Sequence, residues 1–293
     1  MLIKQCLIDI DQEFFWGGKM KRRHVLGALG GSLFMAKTRS TFAQNFEQFD
    51  AKLAALEPDE LLATASAREI QFRQVIVVES QGASRRMRSE SRISGRAKDL
   101  IIRFEVSGEQ YYKQKLVHPI WPKGDSGITV GIGYDVGYMT AQTVRGDWDG
   151  ILQVNTIERL VPAVGKKGVA AKNILPNFSD IEVQWEEALR QFDVFLPYIV
   201  AETEAVFPNT GFLNADCRGA LVSLVYNRGG LISGADRRRE MLNIRNHMAS
   251  KSFGNIPEEF RSMKRLWVNK GLPGLLERRD LEALLFERGL EAG

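Results

Sequence analysis

The stretch TVGIGYD at residues 129–135 decides the fold of this chain more than any other segment. The apolar run 128–132 predicts a short β-strand inside a sequence that is otherwise mostly helical in pattern. Because side chains alternate along a strand, Thr129 and Asp135 would face the same way if the strand continued that far. The two glycines between them leave the backbone uncovered, which gives room for a ligand. The stretch therefore predicts a small polar cleft in a helical body.

An amphipathic helix that precedes this stretch supplies a second carboxyl group. Apolar residues at helical spacing from residue 96 to Ser107 predict the helix, and Glu105 lies in its last turn. Burial beside Phe104 and the negative end of the helix dipole would both disfavour an ionised carboxylate at this position. Two carboxyl groups that differ in protonation are what a glycosidase uses to break a glycosidic bond. Glu105 could equally be an ordinary exposed glutamate, and Asp135 could simply end the strand.

Four segments together resemble one enzyme family. Glu105 followed by the pattern SGxTxGxGYD at 126–135 is similar to the catalytic region of the phage-type lysozymes, and particularly to their pesticin-like branch. Residues 218–229 resemble the central helix of that family, and residues 274–282 resemble its closing helix, Gly-Leu-x-x-Arg-Arg-x-x-Glu. The resemblance extends roughly from Arg96 to Gly289. It implies an α+β, lysozyme-like fold that is mostly helical, with a small β element at the active-site cleft.

The resemblance also implies an activity, hydrolysis of the MurNAc-β-1,4-GlcNAc bond of peptidoglycan with inversion. Glu105 would protonate the glycosidic oxygen, and a water held by Asp135 and Thr129 would attack the opposite face of the sugar. Room for that water puts the two carboxyls of an inverting enzyme about 6.5–9.5 Å apart. Three further residues are candidates for binding the glycan, the first two by stacking on sugar rings and the third by family analogy alone: Trp121, Tyr134 and Asn227. No cofactor is implied.

Two alternatives to an active muramidase remain open at this point. A lytic transglycosylase would need Glu105 but tolerate the loss of Asp135, and a glycan-binding wall protein on a lysozyme scaffold would need neither. The second carboxylate is also open, because the commoner phage lysozymes carry their aspartate between the glutamate and the threonine. The equivalent position here is Gln114, and Asp125 is the rival in that interval. We favour Asp135, since Asp125 lies in a Lys-Gly-Asp-Ser-Gly turn where aspartate is common for conformational reasons.

The excess of basic over acidic residues lies in residues 1–43, a segment that resembles an export signal. Residues 1–43 contain a basic segment at 21–23, an apolar run at 25–36 and a small-residue cleavage site, which resembles a twin-arginine or general secretory signal. We expect the natural start at Met20 and a periplasmic or secreted product. Beyond residue 43 remain 33 of the 40 basic and 33 of the 36 acidic residues. A balanced body argues against a nucleic-acid-binding protein, and the apolar run is too short to span a membrane.

Cysteine and histidine are too sparse to organise the fold. Of the two cysteines, Cys6 precedes the expected cleavage site and Cys217 lies in a helical pattern, so the mature chain would contain no disulfide. The three histidines are scattered, and we expect no metal site. We expect a monomer whose partners are peptidoglycan glycan strands.

The remaining sequence divides into a lead-in and a catalytic domain. Within residues 44–95 the sequence predicts a short helix and a strand at 75–78. From residue 80 it predicts a Ser/Arg-rich linker or exposed arm. No function is assigned to these residues. Residues 96–290 form the lysozyme-like domain. Within it, 109–140 predict short strands and loops, and a capping box at 179–182 predicts the start of a long helix. The glycines at 229–230 predict the end of a helix that begins at Ala215.

Overall fold

The computed structural model describes residues 46–58, 77–80 and 83–293. These residues are mostly helical and contain small antiparallel β elements, so the predicted α+β class is confirmed, and the likeness to lysozyme stays a prediction. The export signal, the cleavage site and the start at Met20 lie outside the described residues.

The described elements follow one another along the chain with short connections and single 3₁₀ turns between them. In chain order they are α1 Glu47–Ala54, β1 Val77–Ser80, β2 Ala83–Arg86, α2 Gly95–Val106, α3 Glu109–Lys115, β3 Thr129–Val130, β4 Tyr134–Asp135, α4 Ala141–Trp148, α5 Val154–Leu160, α6 Val169–Ile174, α7 Trp185–Val206, α8 Ala215–Arg228, α9 Arg239–Ala249, α10 Ile256–Ser262 and α11 Pro273–Ala292. The pairs β1–β2 and β3–β4 are each antiparallel and two-stranded.

Helix α8 lies at the centre of the helical body and packs against α2, α7 and α11. Its side chains are buried almost all the way round, from Cys217 to Arg228. The contact with α2 is close enough to require glycine at position 219, where an added Cβ would lie 2.1 Å from the Cβ of Ala97. The helix ends where Gly229 adopts φ +70°, as the sequence predicted.

Helix α2, which contains Glu105, forms where the apolar spacing predicted it. The Ser94 hydroxyl oxygen accepts a hydrogen bond from the Ala97 amide and caps its first turn. Ser107 ends the helix in the left-handed conformation, at φ +59°. Leu100 and Phe104 are buried on its inner face, so the last turn points into the protein.

The segment after residue 80, predicted as a linker or exposed arm, is attached to the helical body. Residues 83–86 form β2, which pairs with β1. Beyond it the main chain bonds to two helices: Ser89 N–H donates to the Pro197 carbonyl at 3.1 Å, and Ser94 N–H donates to the Ala215 carbonyl at 3.2 Å. The segment is therefore anchored by main-chain partners that lie more than a hundred residues away in sequence, which a local pattern does not indicate.

Two predicted boundaries also differ from the structure. Residues 109–115 form helix α3 instead of strands and loops, because Tyr112 is buried against Trp185 and its hydroxyl donates to the Val183 carbonyl. The capping box of the long helix α7 is formed by Gln184 and Glu187, five residues after the predicted one.

Candidate active site

The hairpin β3–β4 brings Thr129 and Asp135 together. The two residues are directly opposite each other in the antiparallel pair, so their side chains lie on the same face. The sequence predicted this shared face from one continuous strand, and that reason was wrong: the chain reverses at residues 131–133. Gly131 and Gly133 adopt φ +58° and +69°, which L residues with side chains rarely adopt, and this explains the two glycines.

The carboxylate of Asp135 is held by main-chain amides. Gly127 N–H donates to both of its oxygens, at 3.1 and 2.9 Å, and Gly137 N–H donates to Oδ1 at 2.9 Å. Asp135 is only 2% exposed. An added Cβ at Gly127 would lie 2.3 Å from Asp135 Oδ1, so this amide can approach the carboxylate only because residue 127 is glycine. The carboxylate thereby ties together the two ends of the hairpin.

The hydroxyl group of Thr129 lacks a hydrogen-bond partner among the described residues. Its oxygen is buried and makes no hydrogen bond within the part of the chain that the structure describes. Leaving such a group unpaired costs about 1–3 kcal/mol, and buried polar groups of this kind are commonly satisfied by water or ligand. Beside the Asp135 carboxylate, the hydroxyl could therefore bind a small polar molecule such as water.

Glu105 lies in a different electrostatic environment. Its side chain has no exposed surface, and its Oε1 accepts a hydrogen bond from Arg278 Nη1 at 3.0 Å. The sequence predicted an environment that disfavours the ionised carboxylate. Burial acts in that direction, but a guanidinium in direct contact favours the ionised form.

Arg278 belongs to a buried network of charged side chains on α11. Its Nε donates to Glu282 Oε1 at 3.2 Å, and Arg279 Nη2 donates to the same oxygen at 2.9 Å. Burial lowers the pKa of the Arg278 guanidinium, while the Glu282 carboxylate acts in the opposite direction. With both glutamates ionised, Glu105, Arg278, Arg279 and Glu282 together carry no net charge.

Helix α8 connects this network to the hairpin. Arg278 donates to the carbonyl oxygen of Ser223 at 2.9 Å, and one turn later the Tyr226 hydroxyl donates to the Ile132 carbonyl at the hairpin tip, at 2.7 Å. Asn227 Oδ1 accepts from Arg279 at 3.4 Å. The partner of Glu105 and the tip of the hairpin therefore contact the same two turns of one helix.

Tyr134 and Trp121, the aromatic residues predicted to stack on sugars, lie in different surroundings. Tyr134 is 1% exposed, packs edge-on against Trp148 and Phe195, and donates from its hydroxyl to Asp147 at 2.9 Å. This placement favours a role in the core. Trp121 is half-buried, with its indole N–H donating to the Ser126 carbonyl at 3.0 Å. Stacking on sugars stays a prediction for both rings.

Two further acids lie near the hairpin. Asp125, the rival for the second carboxylate, is exposed, and its carbonyl oxygen accepts from the Tyr138 hydroxyl at 2.9 Å. Asp147 is buried and bonds to Tyr134 and to Arg86 of β2. Burial raises the pKa of the Asp147 carboxyl, although Arg86 and the Tyr134 hydroxyl act against this.

Sequence reasoning missed the charged partners of Glu105. Arg278 and Glu282 belong to the closing segment that resembles the lysozyme motif, but an arginine-rich helix most often places its charges in solvent. Among the described residues, no group of three or more His, Cys, Asp or Glu side chains is arranged to hold a metal ion. The same residues contain no helix that is both long and apolar enough to cross a membrane.

Part of the chain is similar to a known family of protein domains. Residues 101–207 match the sequence model of a family described as a domain of unknown function (DUF8812). The matched segment covers less than half of the chain. It includes Glu105, Thr129 and Asp135, and it ends before α8 and the arginines of α11. Among curated proteins, none matches the chain.

Proposed function

We propose that this chain is an exported peptidoglycan hydrolase, an N-acetylmuramidase in which Glu105 is the general acid and Asp135 and Thr129 hold the attacking water. The observation that carries the proposal is the meeting of three separate segments. Glu105 on α2 contacts Arg278 in the closing segment at 3.0 Å, and Arg278 contacts Ser223 in the central helix. These are the segments in which the sequence resembles the phage-type lysozymes.

The hairpin supports the second half of the mechanism. Thr129 and Asp135 lie opposite each other, and the Thr129 hydroxyl has hydrogen-bonding capacity to spare among the described residues. A water bound between them would be oriented by one hydroxyl and one carboxylate, which is the arrangement that an inverting glycosidase needs. Because the side chain of Glu105 has no exposed surface, the glycan can reach it only when the residues that cover it move.

A lytic transglycosylase is the second candidate, and the environment of Asp135 favours it. A carboxylate that already accepts three hydrogen bonds from main-chain amides is well suited to hold the hairpin together without acting on a water. In that reaction Glu105 would be the single essential acid.

The products formed from purified sacculi test the proposal. Mass spectrometry of wild-type digests is expected to show muropeptides with reducing ends, and Glu105→Gln is expected to release none. Anhydro ends would replace the muramidase by the transglycosylase. If the wild-type protein sediments with sacculi and releases nothing, a binding protein on the same scaffold is favoured. Glu287→Gln, on the outward part of α11, is the matched control and should keep full activity.

A further inference from the structure

Four lysines lie beside the β3–β4 hairpin in a group that the proposed mechanism does not use. They come from two segments, 121–127 and 166–172, which the chain joins side by side: Gly127 pairs with Lys167 in an isolated antiparallel bridge, and Gly168 N–H donates to the Ser126 carbonyl at 3.0 Å. We call this surface the lysine shelf; it consists of Trp121, Lys123, Tyr138, Lys166, Lys167 and Lys172.

Aromatic rings position two of the ammonium groups. Lys167 Nζ lies 4.2 Å from the centre of the Tyr138 ring, and Lys172 Nζ lies 5.8 Å from the centre of the Trp121 ring. Both distances are within the range of cation–π attraction. Both rings are in turn fixed at their polar ends, by the Tyr138 hydroxyl and the Trp121 indole N–H. The shelf therefore holds these two of its four ammonium groups in place more firmly than lysines without an aromatic neighbour.

The shelf contains more basic than acidic side chains. The two segments contain four lysines and a single acidic residue, Asp125. No lysine of the shelf forms an ion pair with any carboxylate in the described ranges. Other exposed lysines do form such pairs, for example Lys113 with Glu109. Unpaired lysines grouped in this way create a positive potential that attracts anions.

The shelf is continuous with the hairpin. The carbonyl of Lys166 packs so closely against Gly137 that an added Cβ there would lie 2.5 Å from the oxygen. Gly137 is also the residue whose amide donates to Asp135. A polymer that lies across the hairpin would therefore pass directly onto the shelf.

We propose that the lysine shelf binds the carboxylate groups of an anionic glycan polymer. The identity of that polymer as peptidoglycan, whose peptide stems carry free carboxylates, depends on the proposed function. The binding itself does not, because the shelf contains neither Glu105 nor Asp135. The balanced charge of residues 44–293 favours a glycan over a nucleic acid, which would be expected to select a net basic domain.

Sedimentation of the full chain with purified sacculi, over a time too short for digestion, tests this proposal. Lys167→Gln/Lys172→Gln is expected to bind about tenfold more weakly than the wild type, and sacculi with amidated carboxylates should bind the wild type just as weakly. The matched control is Lys251→Gln/Lys270→Gln, which removes the same charge elsewhere; Lys251 also lies over an aromatic ring, 3.7 Å from the centre of Phe212.

An equal loss in both double variants would overturn the proposal, since it would show a response to net charge alone. Unchanged binding in the shelf variant would overturn it as well. If the shelf variant lost binding to a single-stranded oligothymidine while keeping its affinity for sacculi, the ligand would be a nucleic acid instead. Released products report on the hydrolase and sedimentation reports on the shelf, so either proposal can fail without the other.

Discussion

The two carboxyl groups of the candidate site are buried to a similar degree, but Asp135 is stabilised by main-chain amides close in sequence and Glu105 by an arginine far away in sequence. With main chain and side chain counted together, Glu105 is 3% exposed and Asp135 is 2% exposed. Asp135 accepts from amides two and eight residues away, so its environment is local. Glu105 accepts from the guanidinium of Arg278, which is 173 residues away in sequence. One half of the site is therefore built by a short segment, while the other half exists only once α2, α8 and α11 have packed together.

The ion pair of Glu105 gives the largest expected effect. Arg278→Met keeps most of the side-chain volume but removes the guanidinium that Glu105 contacts, whereas Glu282 keeps its bond from Arg279. Breaking a buried pair in this way costs about 3–5 kcal/mol, because the remaining charge stays desolvated. Urea unfolding measures the loss. Adding Glu105→Gln to Arg278→Met should recover part of it, since the double variant removes the stranded charge as well.

Arg261→Met is the matched control for that substitution. Arg261 forms a two-bonded pair with Glu287, but both side chains are about one-third exposed. A partly exposed pair of this kind is worth about 0–1 kcal/mol. Equal losses in Arg261→Met and Arg278→Met would contradict the difference between a surface pair and the buried network.

Replacing Asp135 tests the local half of the comparison. In Asp135→Asn the amide oxygen can take the Oδ1 position and still accept from Gly127 and Gly137, but the amide NH₂ then occupies the Oδ2 position, where it faces the Gly127 N–H and replaces a 2.9 Å hydrogen bond with two opposed donors. We expect a loss of about 1–3 kcal/mol in the free energy of unfolding. Asp125→Asn, at an exposed position, should stay within about 0.5 kcal/mol of the wild type. Activity on sacculi separates the two candidates for the second carboxylate: if only Asp125→Asn abolishes hydrolysis, the assignment of Asp135 is wrong.

The difference between local and long-range contacts also explains which features could be predicted from the sequence. Local patterns predicted α2, the end of α8 at Gly229 and a small β element that contains Thr129 and Asp135. They did not predict α3, whose formation depends on the distant residues Val183 and Trp185. They also placed Glu105 beside apolar neighbours only, because nothing near residue 105 indicates that an arginine on the last helix will contact it. Long-range contacts decide these features, and a single sequence gives no register for them.

A third buried carboxyl group, that of Asp147, accepts hydrogen bonds from one guanidinium, that of Arg86, and from one phenol, that of Tyr134. Burial raises its pKa in the folded protein above the ordinary value of 3.8, although the charges of Arg86 and Arg88 oppose the shift. The folded state therefore holds this proton more tightly than the unfolded state. The stability that follows is complete below pH 3.8 and is lost as the pH rises through the folded pKa. Asp147→Asn removes this dependence, so the unfolding free energy of the variant should improve relative to wild type as the pH rises from 3 to 7.

Asp180 provides a control of opposite sign for this smallest effect. Its exposed carboxylate accepts a hydrogen bond from Arg159, which lowers the pKa of Asp180. Its contribution is therefore present above the ordinary pKa and is lost as the pH falls through the folded one. Over the same range Asp180→Asn should become less stable relative to wild type as the pH rises. Urea unfolding at four pH values compares the two slopes, and slopes of the same sign would show that Asp147, like Asp180, has its carboxylate stabilised by its arginine partner more than burial destabilises it.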